Sequence, residues 1–412
     1  MRCLLLLLAA CQGGAADGDA KDVAGDTSGD TSGDTPGDTS GDTSGLATTC
    51  DGVPLDATCP GAIELADGDG VSVVDVAVSW SWSSACQAGV ADPIYVRVPA
   101  DATAVQLTVL ADNAPTWAHV LVEGESLLDK VAPNDQDPHA QHPAPAISRL
   151  WPTSPDEPTP SGCWAILPRA VDPDPASLSG RVLLHVRRGE PSAGVLPVVG
   201  VIVGDAPISE AEVLDILALA AATFVGDGVT LGVAPTEWMD WDIGAGLGLD
   251  DDRYDLLRAW TDPNGTGAIP VFFAREFATG GIVGQAGGIP GAPVPGTASS
   301  GVTASVAPYV DYGDGSVDTG ALGQVVTHEL GHQVGLWHTS ESTGTWHDTL
   351  ADTPECAEAS DTDGSGTVGY DECTGRGADN VMFWQSSGLG DQDVLSPLQL
   401  SVVARSPRVL PE

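Results

Sequence analysis

Apolar residues follow two rhythms along this chain. From about Leu46 to Glu190 they come in short runs: VSVVDVAVSWSW, PIYVRVP, AVQLTVLA, TWAHVLVEG, CWAILPRA and GRVLLHVRR. Many of these alternate apolar with polar residues, the period of a strand with one buried face, and Pro, Gly, Asp or Asn separates them. No long helical pattern interrupts them, so the segment 46–190 predicts an all-β sandwich. The interval APNDQDPHAQHPAPAISRLWPTSPDEPTP reads as a long proline-rich loop, with His139 and His142 solvated.

From Gly194 strands and helices mix, which predicts an α+β domain over 191–412. VLPVVGVIVG reads as a buried strand, and SEAEVLDILALAAATFVG as an amphipathic helix with Ser209 as N-cap and Glu212 closing a capping box. VTLGVAPTEW, AIPVFFAREF, the Gly-rich GGIVGQAGGIPG and SGVTASVAPYV read as strands. TGALGQVVTHELGHQVG reads as a helix capped by Asp318 or Thr319, and SPLQLSVVARSP as a closing helix with Pro397 in its first turn.

The first 45 residues fit neither rhythm. Arg2, the apolar run Cys3 to Ala10 and the small residues before Cys11 predict an export signal over 1–10, too short for a stable membrane anchor. Leu8-Ala9-Ala10-Cys11 resembles the bacterial lipoprotein box, which implies lipidation at Cys11; an ordinary signal with a coincidental Cys is the alternative. Residues 25–44 repeat GDTS, with one GDTP, and offer nothing apolar to bury. Residues 11–45 therefore read as a disordered acidic tether with a root-mean-square reach of ~30 Å. The expected location is the cell envelope, held by the lipid alone, or outside the cell.

Composition narrows the partners. The formal net charge is -43, from 58 acidic and 15 basic residues. Such a surface repels phosphate backbones and excludes nucleic-acid binding, and it offers many carboxylates to hard cations. Beyond Cys3 and Cys11 six cysteines remain: Cys50, Cys59, Cys86, Cys163, Cys356 and Cys373. An even number in an exported chain suggests disulfides, and none lies in a CxxC pair. Six cysteines allow fifteen pairings; proximity favours Cys50–Cys59 and Cys356–Cys373, which leaves Cys86–Cys163.

The chemistry concentrates in HELGHQVGLWH, residues 328–338. Residues four apart on a helix share a face, so His328 and His332 can point two imidazoles at one metal. Glu329, one step round, can hold an attacking water without ligating the metal. Gly335 can adopt the left-handed conformation that ends a helix and lets the chain return with His338 as third ligand. Three neutral nitrogens leave one position open, the pattern of catalytic zinc. His347, in TWHDT, reads as a loop histidine beside the cleft.

This stretch matches the metzincin signature HExxHxxGxxH at every defined position, and the chain resembles that family over roughly residues 195–410. The resemblance implies a zinc endopeptidase with a protein or peptide substrate. Met382, in DNVMFW, stands where the family has its Met-turn. The continuation DTLADTPEC followed by NVM is most similar to the pappalysin-like branch. Where several metzincins have a Tyr two residues after the Met, this chain has Trp384, which cannot titrate as a phenol. No cysteine-switch sequence is recognisable in the N-terminal region.

Between helix and Met-turn, DTDGSGTVGYDE (361–372) matches a calcium loop. Asp361, Asp363 and Ser365 would give side-chain oxygens, Thr367 its carbonyl, and Glu372 a bidentate clamp. Cys356 and Cys373 bracket the loop. The expected function is a lipid-anchored zinc metalloendopeptidase with Glu329 as general base; the alternative is a recognition or adhesion lipoprotein on the same scaffold with little turnover. The sandwich reads as a substrate-presenting module, a glycan- or protein-binding module, or a pro-domain. Oligomeric state and cleavage specificity are not legible.

Overall fold

The computed structural model describes residues 58–411, apart from 87, 112–115, 129–145, 171–178, 190–193, 226–227, 242–250, 279–280, 312 and 388–391. The signal, Cys11, the tether, Cys50, His139 and His142 lie outside the described residues. Among the described residues, no helix is long and apolar enough to cross a membrane.

The chain is mostly β. Its first part holds β1 (Ile63–Glu64), β2 (Gly70–Ser79), β3 (Ser81–Ser83), β4 (Ala88–Val90), β5 (Ile94–Val98), β6 (Ala102–Ala111), β7 (Thr116–Val122), β8 (Glu125–Leu128), β9 (Ala146–Trp151), β10 (Gly162–Ala170) and β11 (Ser179–Arg188). Seven of these form one sheet, in the path β1-β5-β10-β4-β3 with β7 bridging β10 to β8. The other four form the antiparallel order β2-β11-β6-β9. The two sheets share a core in which Val105, Leu107, Val109, Val182, Leu184 and Val186 of the four-stranded sheet meet Val96, Val120, Trp164 and Ile166 of the other.

The alternate positions of β6 and β11 are buried too. Leu110 and Leu183 pack with Ala292 and Ala298 from the second half of the chain, and Ala104 joins the main core there. The polar residues of that face are equally enclosed: Gln106, Thr108, Ser148, His185 and Arg187 are all at most 9% exposed. The four-stranded sheet is thus a middle layer, covered on both sides. Period-two alternation alone reads such a face as solvated, which is why the sequence does not reveal this interface.

The second part builds a six-stranded sheet from β12 (Gly194–Val203), β13 (Val229–Met239), β14 (Ile269–Ala274), β15 (Gly284–Ala286), β16 (Val302–Ser305) and β17 (Leu410–Pro411). Its order is β13-β12-β14-β16-β15, with β17 added to β12. β13, β12, β14 and β16 run parallel and β15 is antiparallel at the edge. The helices are α1 (Glu210–Phe224), α2 (Asp251–Ala259), α3 (Thr319–Gln333) and α4 (Pro397–Arg405). α1 and α3 pack with Val198, Ile202, Val271 and Phe273 on one face. α2 places Leu256 and Leu257 against Val199, Val201 and Phe272 on the other. The Ser209–Glu212 capping box forms as its spacing predicts, and Asp318 caps α3 by accepting the Ala321 amide at 3.0 Å.

Two sequence expectations need correction, and one helix lies where the sequence predicts no element. β9 lies inside the stretch that reads as a proline-rich loop; its flanks Pro143, Pro145 and Pro152 mask a strand that is defined by pairing with β6. α2 follows a Gly- and Asp-rich stretch and shows little apolar pattern beyond its last two turns. The cysteine pairing also differs. Cys59 bonds Cys163, 104 residues away, so neither Cys50–Cys59 nor Cys86–Cys163 forms. Proximity along the chain is overridden because β1 pairs with β5 and β5 with β10, bringing Cys163 beside the start of β1. Cys86 is itself disulfide-bonded. Cys356–Cys373 forms as its spacing predicts.

Candidate metal centre

α3 carries His328, Glu329 and His332 on a wholly buried stretch. The helix ends by a Schellman motif: the Leu336 amide donates to Gly331 at 2.9 Å and the Gly335 amide to His332 at 3.0 Å. Gly335 has φ +109°, a conformation other residues rarely adopt, and Leu336 tucks back against the helix. The turn returns the chain so that His338 meets the two helical histidines, as the sequence predicts.

The three Nε2 atoms lie 3.0, 3.1 and 3.1 Å apart. Each Nδ1 has a partner of its own: His328 with the Val381 carbonyl at 2.7 Å, His332 with the Leu336 carbonyl at 2.7 Å, and His338 with Glu341 Oε1 at 2.9 Å. Carbonyls and carboxylates only accept, so each Nδ1 carries the proton and each Nε2 presents a lone pair. Three lone pairs aimed at one point repel unless a cation sits between them. Zinc–nitrogen bonds of 2.0–2.1 Å in a tetrahedral set place the nitrogens about 3.3 Å apart, so the donor set fits zinc closely. Burial, with the neighbouring His338 adding to it, holds His328 down to about 3, and His332 is lowered by the same causes. Both rings therefore stay neutral, as ligands must.

Glu329 is fully buried, and neither carboxylate oxygen makes a hydrogen bond of ordinary geometry. Burial pushes its carboxyl up to about 8, while the Ala286 amide and the charge of Arg253 pull it only partly back. Space for it depends on the edge strand: a Cβ at Gly284 of β15 would lie 2.8 Å from Glu329 Oε1. Arg253 is 4% exposed, stacks over Tyr254 at 4.5 Å, and is a charged neighbour that no sequence pattern singles out.

Met382 lies beneath α3, fully buried. A Cβ at Gly331 would collide with the Met382 Sδ, so the sulfur presses on α3 one residue before His332. Asn380 Oδ1 accepts the Met382 amide at 2.8 Å, the Met382 carbonyl accepts the Thr339 amide at 3.0 Å, and Gln399 of α4 holds Asn380. One short turn therefore supports His328 through Val381, packs under α3 through Met382, and anchors the chain after His338. Trp384, by contrast, belongs to a separate core with Cys356, Val368, Cys373 and Phe383, and its indole N–H donates to the Val368 carbonyl at 2.7 Å. His347 stands apart from the triad, with Nδ1 3.1 Å from Ser340 Oγ.

In the acidic loop, carboxylate oxygens of Asp361, Asp363 and Glu372 lie within 4.8 Å of one another. Gly366 has φ +82°, as a sharp turn there requires. Ser365 Oγ donates to the Thr367 carbonyl at 3.1 Å. Glu372 accepts the amides of Thr362 at 2.6 Å and Gly369 at 2.9 Å, which hold its carboxyl down to about 2.

No family model matches the chain, and no curated protein matches it. Among solved structures it is similar to metalloproteinase-II from Bacteroides fragilis, at 11% identity and a TM-score of 0.32, over 54% of this chain and 62% of that one. It is also similar to archaemetzincin from Methanopyrus kandleri, at 17% identity and a TM-score of 0.25, over 52% of this chain and 88% of that one. The match thus spans less than two thirds of the Bacteroides protein. These likenesses are too slight to carry an argument about activity; the geometry of the histidines carries it.

Proposed function

We propose that this chain is a zinc metalloendopeptidase of metzincin type, with residues 46–190 a β-sandwich domain and 191–412 an α+β catalytic domain. The observation that carries the reading is the convergence of three buried Nε2 lone pairs at 3.0–3.1 Å beside a buried, unbonded carboxylate. His328, His332 and His338 would hold the zinc, which when bound supplies Lewis acidity to a water and to the scissile carbonyl. Glu329, buried beside the three histidines, would take a proton from the attacking water and deliver it to the leaving amine. The substrate is a protein or peptide. Trp384 spends its N–H on Val368, so this side chain gives no hydrogen bond to a substrate oxyanion.

That last observation also favours a second reading, a recognition lipoprotein on the same scaffold with little turnover. Digestion of casein and of a peptide library, with and without a zinc chelator, separates the two. The peptidase reading expects cleavage that the chelator abolishes, and it fails if the zinc-loaded chain cuts nothing across the library. Glu329→Gln should retain one zinc per chain and lose cleavage; retained cleavage would refute the assigned base.

The remaining proposals concern location and a second metal. Export by signal 1–10, lipidation at Cys11 and the tether 11–45 would hold the folded body off the cell envelope. Calcium would bind Asp361, Asp363, Ser365, Thr367 and Glu372, supported by the clustered carboxylates and the Cys356–Cys373 staple.

A further inference from the structure

The four-stranded sheet reaches the metal centre by two routes. The first runs through the edge strand β9. Leu150 is 5% exposed and shares a core with Leu330, Val334 and Leu336, the residues that end α3 and begin the turn. Its Cδ2 would be 2.7 Å from a Cβ at Gly335. Arg149 lays its guanidinium over the Trp337 ring at 5.4 Å from the centroid. Gly335, Leu336 and Trp337 are the three residues leading into His338, and the Leu336 carbonyl also holds His332.

The second route runs through β6. Gln106 Nε2 donates to the Gly291 carbonyl at 2.8 Å, and the Gly291 amide donates to the Gln333 carbonyl at 3.1 Å. Gln333 in turn donates through Nε2 to Gly301 at 2.8 Å. Gln333 is the last residue of α3 and directly follows His332. A side chain at Gly291 would collide with Gln333 Oε1, so the fit at this junction is tight.

We propose that the N-terminal sheet is a permanent positioning element of the metal centre and not a removable pro-segment. Leu150 and Arg149 are its positioning residues: they hold the Gly335–Trp337 turn and through it His338. A turn free to shift would carry His338 away from the other two nitrogens and leave a weaker, less regular donor set. The inference rests on the metal-site reading but not on turnover.

The test uses the full chain and reads metal binding. Zinc affinity is measured by competition with a chromophoric chelator, and cobalt is loaded to report site geometry in the visible spectrum. Leu150→Ala should weaken zinc binding about tenfold or more, as loss of a supporting contact does, and alter the cobalt bands. Leu150→Met should restore both. Val109→Ala, in the same sheet but facing the other core, should lower the melting temperature while leaving zinc affinity and cobalt bands unchanged. Should Leu150→Ala fail to fold, Arg149→Gln carries the same expectation of weakened binding. Wild-type zinc affinity in Leu150→Ala, or in Arg149→Gln where Leu150→Ala does not fold, would overturn the proposal, as would an equal loss in Val109→Ala. A chain that binds zinc as predicted but cuts nothing sinks the peptidase reading and leaves this one standing; a wild-type chain that takes up neither metal overturns both.

Discussion

At the scale of single residues, the ring nitrogens that face away from the cluster are held as definitely as those that converge in it are placed. Two of the three Nδ1 partners are backbone carbonyls, Val381 and Leu336, and cannot be altered by substitution without moving the chain. The third is Glu341, whose side chain is 23% exposed and bonds His338 at 2.9 Å. Glu341→Ala should therefore weaken zinc binding by roughly 10- to 100-fold while leaving the melting temperature of the zinc-free chain nearly unchanged. Glu341→Gln, whose amide oxygen can still accept, should recover much of the loss. Chelator competition on the three proteins checks this, and equal affinities would remove Glu341 from the site. His328, Glu329, His332 and His338 are legible because helical periodicity and a helix-ending glycine give each a stated place. Val381 and Arg253 are not, since nothing local in the sequence says that the fold will bring so distant a carbonyl and side chain to the site.

Secondary-structure elements show the same division. α1 announces itself through its capping box and amphipathic spacing, α3 through its cap and α4 through the proline in its first turn, and the structure N-caps all three. β9 does not, because a six-residue strand between prolines is stabilised by its neighbour β6 and by the packing of Leu150. The acidic loop lies between these cases. Its ligand spacing is readable, but the structure adds that Glu372 also organises the loop backbone through the amides of Thr362, Asp363 and Gly369. Removing Glu372 would therefore damage the loop with or without calcium. Asp363 is the cleaner probe, because its Oδ1 accepts only the Ser365 amide, at 2.9 Å. Calcium should raise the melting temperature of the wild-type chain, and Asp363→Asn should lose most of that rise while melting normally in chelator. Thermal scans with and without calcium measure it; equal rises in both proteins would eliminate the site.

For the whole molecule, the decisive feature is the interface between the four-stranded sheet and the half of the chain that carries the three histidines. Its face is polar and yet enclosed. Arg187 donates to the carbonyls of Ser406 and Val409 at 2.8 and 2.7 Å, and Gln106 donates to the Gly291 carbonyl at 2.8 Å. His185 sits in the same face, 7% exposed, with Nδ1 unbonded. Burial and the Arg408 charge hold its ring down to about 4 from an ordinary 6.5, with Asp75 opposing. A histidine depressed in the folded state stays neutral there while the unfolded chain takes up a proton. Its contribution is thus fully present above about pH 6.5 and is lost as pH falls from there toward 4, where the loss reaches about 3 kcal/mol. Carboxylates titrate over the same range, so the test is a comparison. The wild-type melting temperature should fall more steeply between pH 6.5 and 4 than that of His185→Leu, and the two should run parallel between pH 7 and 8. Calorimetry across that range decides it: equal acid slopes would show that His185 does not carry this linkage. A single calorimetric transition at neutral pH would show in addition that the sheet and the second half of the chain unfold together, as an interface bridged by Arg187 and Gln106 requires.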